Sequence, residues 1–377
     1  MYKTLYLHIG SQKTGSSSIQ MSFYRNRRRL ARAGVIYPGV SPNHASLISH
    51  ARPGSFRAGS LRTMAKKKGW PNDTLADAVR AYTQAFKAEV EAGKGDTLVV
   101  SSEFFITLKR ADFERLVAFL KPYAERIVVV CYVRHPAAAQ VSVMAQRLKR
   151  SQARLDEAET GELSVNVADR LAKIVPVVGR ENTILRAFAT DALTKGDVVT
   201  DFMNVVGVPE AVMGKVRPVR ANTSLSHEAL LIADALSAIT DKNEGGARVR
   251  NFEQAEVKAM QRIRGARYAF PAEVNKEILE NARPVAARLE AEFGLKLKEP
   301  VLHEPQPLWS ETAVEDIAQL IRDLLKHVDQ DALLNAWRAR DLEKSDGDAA
   351  ATKRRRARRA GAARSAERDG PQPASAP

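Results

Sequence analysis

A glycine-rich segment near the start of the chain, LHIGSQKTGSSSIQ, combines one lysine with three consecutive serines. Against the ATP-binding pattern G-x-x-x-x-G-K-[ST], Gly10 and Gly15 fall on the glycines and Ser17 on the hydroxyl position. The lysine position is taken by Ser16, and the lysine of the segment is Lys13, inside the loop. Backbone N–H groups at such a loop bind phosphate, but a kinase or ATPase needs its lysine at position 16. The segment therefore predicts an anion site with a displaced lysine.

A second motif, RHPAAAQVS, follows an apolar run and places Arg134 eight residues before Ser142. Pro136 suits the first turn of a helix, where its missing N–H costs nothing. Arg134 at the end of a strand and Ser142 two turns into a helix can converge on one phosphate. The alternative is an ordinary strand-to-helix corner with a solvated arginine.

Apolar runs of strand character alternate with helical stretches in the first half of the chain. KTLYLHI precedes the glycine-rich loop, and further strands are predicted at 96–103, 126–133 and 182–188. A helix is predicted from 17 to 33, ended by Gly34. Continuous apolar strands with helical crossovers predict an α/β fold with a parallel sheet covered by helices on both faces. In such a fold the glycine-rich loop lies at the carboxyl edge of the sheet, where ligands bind.

Composition limits the class of protein. The 377 residues, 44% of them hydrophobic, are enough for a large buried core. The one cysteine, Cys131, cannot form an intrachain disulfide or a cysteine-built zinc site, and its apolar surroundings predict a buried thiol. The chain has no apolar run of about 18 residues and no signal-peptide layout at its start. We therefore expect a cytoplasmic protein.

Three regions are expected along the chain: an α/β domain over 1–240, a helical C-terminal extension packed on it over 241–345, and a disordered basic tail over 346–377. The tail contributes part of the net charge of +15. It is either a solvated tail or an electrostatic tether to an anionic membrane or nucleic acid. Nucleic acid is disfavoured, because no aromatic residue interleaves the arginines of the tail.

The two motifs together resemble the nucleotide-binding signatures of sulfotransferases that use 3′-phosphoadenosine 5′-phosphosulfate (PAPS). In that family a K-[TS]-G-[TS]-[TS] loop binds the 5′-phosphosulfate, and KTGSS matches it. An R-x-P with a serine eight residues past the arginine binds the 3′-phosphate, and RHPAAAQVS matches it. With GVIYPG, a downstream NH and RANTSLS, the layout over 2–239 is most similar to bacterial, carbohydrate-type sulfotransferases. The resemblance implies a P-loop-like fold and a PAPS-dependent transfer of a sulfuryl group.

The resemblance also implies roles for individual residues. Lys13 stabilises the leaving group, because the bridging oxygen of PAPS lies deeper in the loop than the outer phosphate of ATP. No metal is expected, since a sulfuryl group carries less charge than a phosphoryl group and preorganised donors suffice. Arg220, in RANTSLS, is a further candidate for the nucleotide. The expected nucleotide-binding residues are Lys13, Thr14, Gly15, Ser16, Ser17, Ser18, Arg134, Ser142 and Arg220.

An acceptor hydroxyl, or an amine, must lose its proton to a base. Glu103, at the end of a predicted strand, is the first candidate, and His44, in SPNHASLISH, is its rival. The acceptor implied by the family layout is a glycan or glycolipid, and the basic segment 51–70 is either its binding loop or a solvated insertion. Two other functions remain open: a P-loop kinase or ATPase, and a non-catalytic protein that binds polyanions.

Overall fold

A five-stranded parallel sheet forms the centre of the computed structural model. Its strand order is β2-β3-β1-β4-β5. The central strand β1 is hydrogen-bonded on both sides, so that Leu7 is paired with Val100 of β3 and Val129 of β4. All four pairings are parallel, and all carboxyl ends therefore lie at one edge. The strands are β1 Tyr2–His8, β2 Val35–Ile36, β3 Thr97–Ser101, β4 Ala124–Val133 and β5 Thr183–Ala187.

Eleven helices are defined within the residues that the structure describes, together with short 3₁₀ turns. The described residues are 1–11, 13–52, 61, 64–65, 68–149, 163, 166–219, 225–238, 254–303, 316–317 and 320. The helices are α1 Ser16–Arg32, α2 Ile48–Ala51, α3 Asn72–Ala92, α4 Arg110–Leu120, α5 Pro136–Lys149, α6 Val167–Val178, α7 Val198–Val205, α8 Glu210–Met213, α9 His227–Ala238, α10 Gln254–Met260 and α11 Ala272–Phe293.

Helices cover both faces of the sheet. On one face, apolar side chains of α3, α4 and α6, such as Phe86, Phe113 and Leu171, pack on alternate residues of the strands. On the other face, α1 and α7 contribute Phe23 and Phe202, which pack against the remaining strand residues. Because each strand buries both of its faces, the strands read as continuous apolar runs in the sequence. The predicted α/β fold is confirmed.

A third apolar cluster joins the later helices to α5. Met144 and Leu148 of α5 pack with Leu230 of α9 and Ile278 of α11. Helices α9 and α11 therefore pack against α5. This contact matters for the candidate site, since α5 carries Ser142 of the second sequence motif.

The predicted elements of the first half are found within two residues of their expected bounds. The helix predicted at 17–33 runs over Ser16–Arg32 and is followed by Gly34 in the left-handed region, at φ 76°. The two-residue strand β2 was not predicted, because so short a run carries no periodicity. Cys131 is fully buried in β4, as expected, and burial raises the pKa of its thiol to about 12. Within the described residues, no helix has the length and hydropathy needed to span a bilayer.

Candidate active site

The loop between β1 and α1 turns through left-handed backbone conformations. Lys13 has φ 64°, and Gly15, which precedes the first residue of α1, has φ 76° and ψ 12°. The hydroxyl of the fully buried Thr14 donates to the carbonyl of Ser11 over 2.7 Å and braces the turn. The first turn of the 17-residue helix contains no acidic residue. The N–H groups at this helix end therefore form a region that favours an anion.

Gly10 allows the loop to approach the end of β3. A Cβ added at Gly10 would lie 2.7 Å from the Ser16 hydroxyl and 3.0 Å from the Cα of Glu103. Its φ of 56° is also unfavourable for other residues. The glycine therefore brings the loop into direct contact with Glu103, the first candidate base.

The Ser16 hydroxyl is buried and has no hydrogen-bond partner within the described part of the chain. A buried hydroxyl without a partner costs free energy, so such groups usually face a water or a ligand. Ser16 occupies the lysine position of the ATP-binding pattern, as the first residue of α1. Its free donor fits a phosphate or sulfate oxygen held at the helix end.

Arg134 follows the last residue of β4 and is half-buried. Its guanidinium carbon lies 5.9 Å from the centre of the Phe188 ring, and no carboxylate of the described residues forms a salt bridge with it. Burial, and secondly the positive charge of Arg267, lower the pKa of Arg134. A cation that is partly desolvated next to a second cation is suited to an anionic ligand.

One stripe of α5 connects Arg134 with the loop. Ala138, Ser142 and Gln146 are spaced by four residues and so lie along one side of the helix. Ala138 lines the cavity next to Arg134, and Gln146 accepts a hydrogen bond of 3.0 Å from the Lys13 ammonium. Ser142 lies between these two contacts. The two sequence motifs are thus brought together along one side of α5.

A cavity of about 600 Å³ lies next to Arg134 at the carboxyl ends of β4 and β5. Phe188 and Val198 are two of its apolar wall residues, and each also approaches Gly15: a Cβ there would lie 2.7 Å from Val198 and 3.4 Å from the Phe188 ring. The segment after α11, from Leu297 to Val301, forms part of the cavity wall. Through Phe188 and Val198 the cavity adjoins the loop after β1, and its volume is that of a small-molecule site.

Glu103 lies two residues after β3 and is half-buried. One of its oxygens, Oε2, accepts hydrogen bonds from the Gln20 amide over 2.9 Å and from the Asn43 amide over 2.7 Å. Gln20 also lies 3.3 Å from the Ser101 hydroxyl. The other oxygen, Oε1, makes no hydrogen bond with the described residues. The carboxylate is held in place through one oxygen, and the other has no hydrogen-bond partner among the described residues.

His44 is fully buried and uses both ring nitrogens. Nδ1 accepts a hydrogen bond of 3.0 Å from the backbone N–H of Ser101, and Nε2 lies 3.0 Å from the carbonyl oxygen of Pro38, to which it donates. Burial lowers the pKa of His44 to about 4. In this arrangement neither nitrogen is open to an acceptor, so His44 joins the loop before it to β3. The structure gives no support to His44 as the base.

The structure gathers most of the predicted site residues at one edge of the sheet. The loop and the start of α1 contain Lys13, Thr14, Gly15, Ser16, Ser17 and Ser18. Glu103 lies against this loop. Helix α5, which contacts the loop through Gln146, contains Ser142 and begins two residues after Arg134. Arg220 lies outside the described residues. No group of three or more metal-ligating side chains is found among the residues described.

Two residues of the site were missed in the sequence. Phe188 directly follows β5, and its position at a strand end was the one available signal. Arg267 lies in the helical extension, where the sequence showed no motif. It lies near Arg134 because α9 and α11 pack on α5 and because its backbone forms an isolated antiparallel β-bridge with Ser226.

Comparisons with known proteins give structural neighbours but no sequence match. No family model matches the chain, and no curated protein matches it in sequence. A crystal structure described as a sulfotransferase from Alicyclobacillus acidocaldarius superposes with a TM-score of 0.43 at 15% identity, covering 79% of this chain and 98% of that one. A sulfotransferase domain from the curacin biosynthetic pathway gives a TM-score of 0.35 at 12% identity, covering 85% of this chain and 98% of that one. Similarity at these values does not decide the activity, which therefore depends on the site itself.

Proposed function

We propose that the chain is a PAPS-dependent sulfotransferase that moves a sulfuryl group from PAPS to a hydroxyl, or an amine, of an acceptor. The observation that carries this proposal is the position of Arg134. It is a half-buried cation without a carboxylate partner among the described residues. One side of helix α5 extends from the cavity beside Arg134 to the loop that contains Lys13. A nucleotide with phosphates at both its 3′ and 5′ positions matches two anion sites arranged in this way.

The nucleotide is assigned to the cavity and the loop. Gly15 to Ser18 bind the 5′-phosphosulfate through backbone N–H groups and hydroxyls, including the partnerless hydroxyl of Ser16. Arg134 and Ser142 bind the 3′-phosphate, and Arg267 adds positive charge there. Phe188 and Val198 provide apolar surface for the base. These contacts do not require a metal.

Lys13 is assigned to the leaving group. Its backbone adopts the left-handed conformation within the loop, and its ammonium donates to Gln146 of α5, one helical turn beyond Ser142. We place this ammonium beside the phosphosulfate at the loop. A cation there neutralises the charge that develops on the bridging oxygen when the sulfur–oxygen bond of PAPS breaks.

Glu103 is assigned as the base. Its Oε1 takes the proton of the acceptor hydroxyl, the acceptor oxygen forms a bond with the sulfur, and the electron pair of the breaking sulfur–oxygen bond leaves on the phosphate of 3′,5′-ADP. Gln20 and Asn43 hold the carboxylate through Oε2. The acceptor class that we propose, from the resemblance of the motifs, is a glycan or glycolipid.

The nucleotide assignment is tested by calorimetry with 3′,5′-ADP, 5′-AMP and ATP with Mg²⁺. We expect 3′,5′-ADP to bind without metal and more tightly than 5′-AMP. Charge-assisted hydrogen bonds are each worth roughly 1.5–3 kcal/mol, a factor of about 10 to 150 in affinity. Arg134→Ala should remove most of this preference, because it deletes the proposed contact with the 3′-phosphate.

Arg110→Ala is the control, since Arg110 is an exposed arginine on α4, paired with Glu114 and away from the cavity. It should leave the preference unchanged. Equal affinity of the unaltered protein for 3′,5′-ADP and 5′-AMP would overturn the sulfotransferase proposal. Tighter binding of ATP with Mg²⁺ than of 3′,5′-ADP would favour a kinase or ATPase instead.

A further inference from the structure

A second cavity, of about 750 Å³, lies between the later turns of α1 and the segment from Gly214 to Val219. Among the described residues, its wall carries four cationic side chains and no acidic one: Arg25, Arg29, Lys215 and Arg217. We call it the basic groove. It is as large as a small-molecule site but has no role in the proposed reaction.

The charges of the basic groove are not neutralised by neighbours. Within the described residues, none of its four cations forms a salt bridge with a carboxylate. Helix α1 contains five arginines, namely Arg25, Arg27, Arg28, Arg29 and Arg32, and no acidic residue. Arginines three or four positions apart repel one another and destabilise a helix. A bound anion would relieve this repulsion.

Hydrogen bonds hold the two walls of the groove together. The Arg29 guanidinium donates to the carbonyl of Lys215, and the backbone N–H of Val219 donates to the Ser22 hydroxyl over 2.8 Å. The segment is therefore attached to α1 at both ends of the groove. Arg25 and Arg217 remain exposed on the two walls. A groove whose walls are already held together binds an anion at lower entropic cost than one whose walls must first be ordered.

The basic groove is separate from the loop site. Arg25 follows Ser16 by nine residues, which corresponds to about 13 Å along the helix axis. The wall of the groove shares no residue with the wall of the cavity next to Arg134. An anion in the groove would therefore occupy a place distinct from that of the proposed nucleotide.

We propose that the basic groove is a second anion site, which takes a ligand bearing two or more phosphate or sulfate groups. Three of its four cations are guanidinium groups, which bind phosphate and sulfate through paired N–H donors. Cations on both walls suit a ligand with more than one anionic group. Such groups occur on free oligophosphates and on the headgroups of anionic lipids, and both present the same chemistry to the groove.

The test compares two double variants that remove the same charge. Arg25→Gln/Arg217→Gln alters the groove but keeps Arg29, which holds its walls. Arg80→Gln/Arg110→Gln is the control, since both arginines are exposed and ion-paired on α3 and α4. We measure tripolyphosphate binding by calorimetry at low salt. The groove variant should bind about 10-fold more weakly or worse than the control, because charge-assisted contacts are lost. Equal affinities of the two variants, or no binding by the unaltered protein, would overturn the proposal.

Vesicle sedimentation distinguishes the sources of the anion. Both variants keep the basic tail, so a difference between them reports on the groove. Phosphatidylcholine vesicles containing cardiolipin, whose headgroup carries two phosphates, should sediment the control variant more than the groove variant if the ligand is a lipid headgroup. Equal sedimentation, together with the difference in tripolyphosphate affinity, assigns the groove to a soluble anion.

Discussion

Glu103 and His44 show how two candidate bases differ once their hydrogen bonds are known. Both residues lie near the carboxyl end of β3. Glutamate and histidine both act as bases in enzymes. Glu103 uses one oxygen for Gln20 and Asn43 and leaves the other unpaired among the described residues. His44 uses both nitrogens and is fully buried. The free proton acceptor, rather than the residue type, favours Glu103.

Replacement of the proposed base tests this assignment. Glu103→Gln keeps the size of the side chain but removes its basicity, so turnover should fall by roughly 10²–10⁴ while 3′,5′-ADP affinity stays nearly the same. Turnover is measured as sulfated product with PAPS and an acceptor. Glu114→Gln, an exposed change on α4, is the control. Near-normal turnover of Glu103→Gln would show that another group takes the proton.

At the scale of elements, the site depends on the contact between the loop after β1 and helix α5. The loop supplies Lys13, and α5 supplies Ser142 and Gln146 along one side. The opposite side of α5 is packed by α9 and α11, which keep it in position. The two sequence motifs, separated by more than 100 residues, are thus brought together by helix α5, which includes Gln146, the residue that accepts a hydrogen bond from Lys13.

Two variants separate the charge of Lys13 from its hydrogen bond. Lys13→Ala removes the cation assigned to the leaving group, and turnover should fall on the order of 10²–10³, with a much smaller loss of 3′,5′-ADP affinity. Gln146→Ala removes the partner but keeps the cation, so its effect on turnover should be several-fold at most. Single-turnover rates measure both. Equal losses in the two variants would mean that Lys13 acts by bracing α5.

At the scale of the whole molecule, burial between the layers affects stability as well as the site. His8 and His44 lie at the carboxyl edge of the sheet with no exposed surface. Burial lowers the pKa of His8 to about 3 and that of His44 to about 4. Both are therefore neutral in the folded chain at pH values at which they are protonated when unfolded.

The free energy of unfolding should therefore decrease as the pH falls below about 6.5, the ordinary pKa of histidine. The stability that these groups contribute is fully present above that pH, and it is lost progressively down to their folded pKa values. Between pH 7 and pH 5 each histidine should account for about 2 kcal/mol. Urea unfolding at both pH values, for the unaltered protein and His44→Gln, measures the part due to His44. An identical pH dependence in the two proteins would contradict this prediction.

Local patterns in the sequence were sufficient to predict the α/β fold, and they identified the two motifs whose phosphate binding stays a prediction. Buried parallel strands are continuous apolar runs, and the loop after β1 is marked by glycines that its backbone angles require. Arg267 and the basic groove were not predicted. Each depends on contacts between segments far apart in the chain, such as that of Arg29 with Lys215. A local sequence pattern does not predict such contacts.

The sequence by itself identified the candidate anion-binding residues and predicted that they lie at the carboxyl edge of the sheet, because apolar runs that alternate with helices indicate parallel strands, whose carboxyl ends share one edge. Only the tertiary structure decided which of them act together. The hydrogen bonds of Glu103 and His44 separate the candidate bases, and the packing of the helical extension on α5 brings Arg267 towards Arg134. These outcomes depend on side-chain burial and on long-range contacts, which arise only when the layers pack.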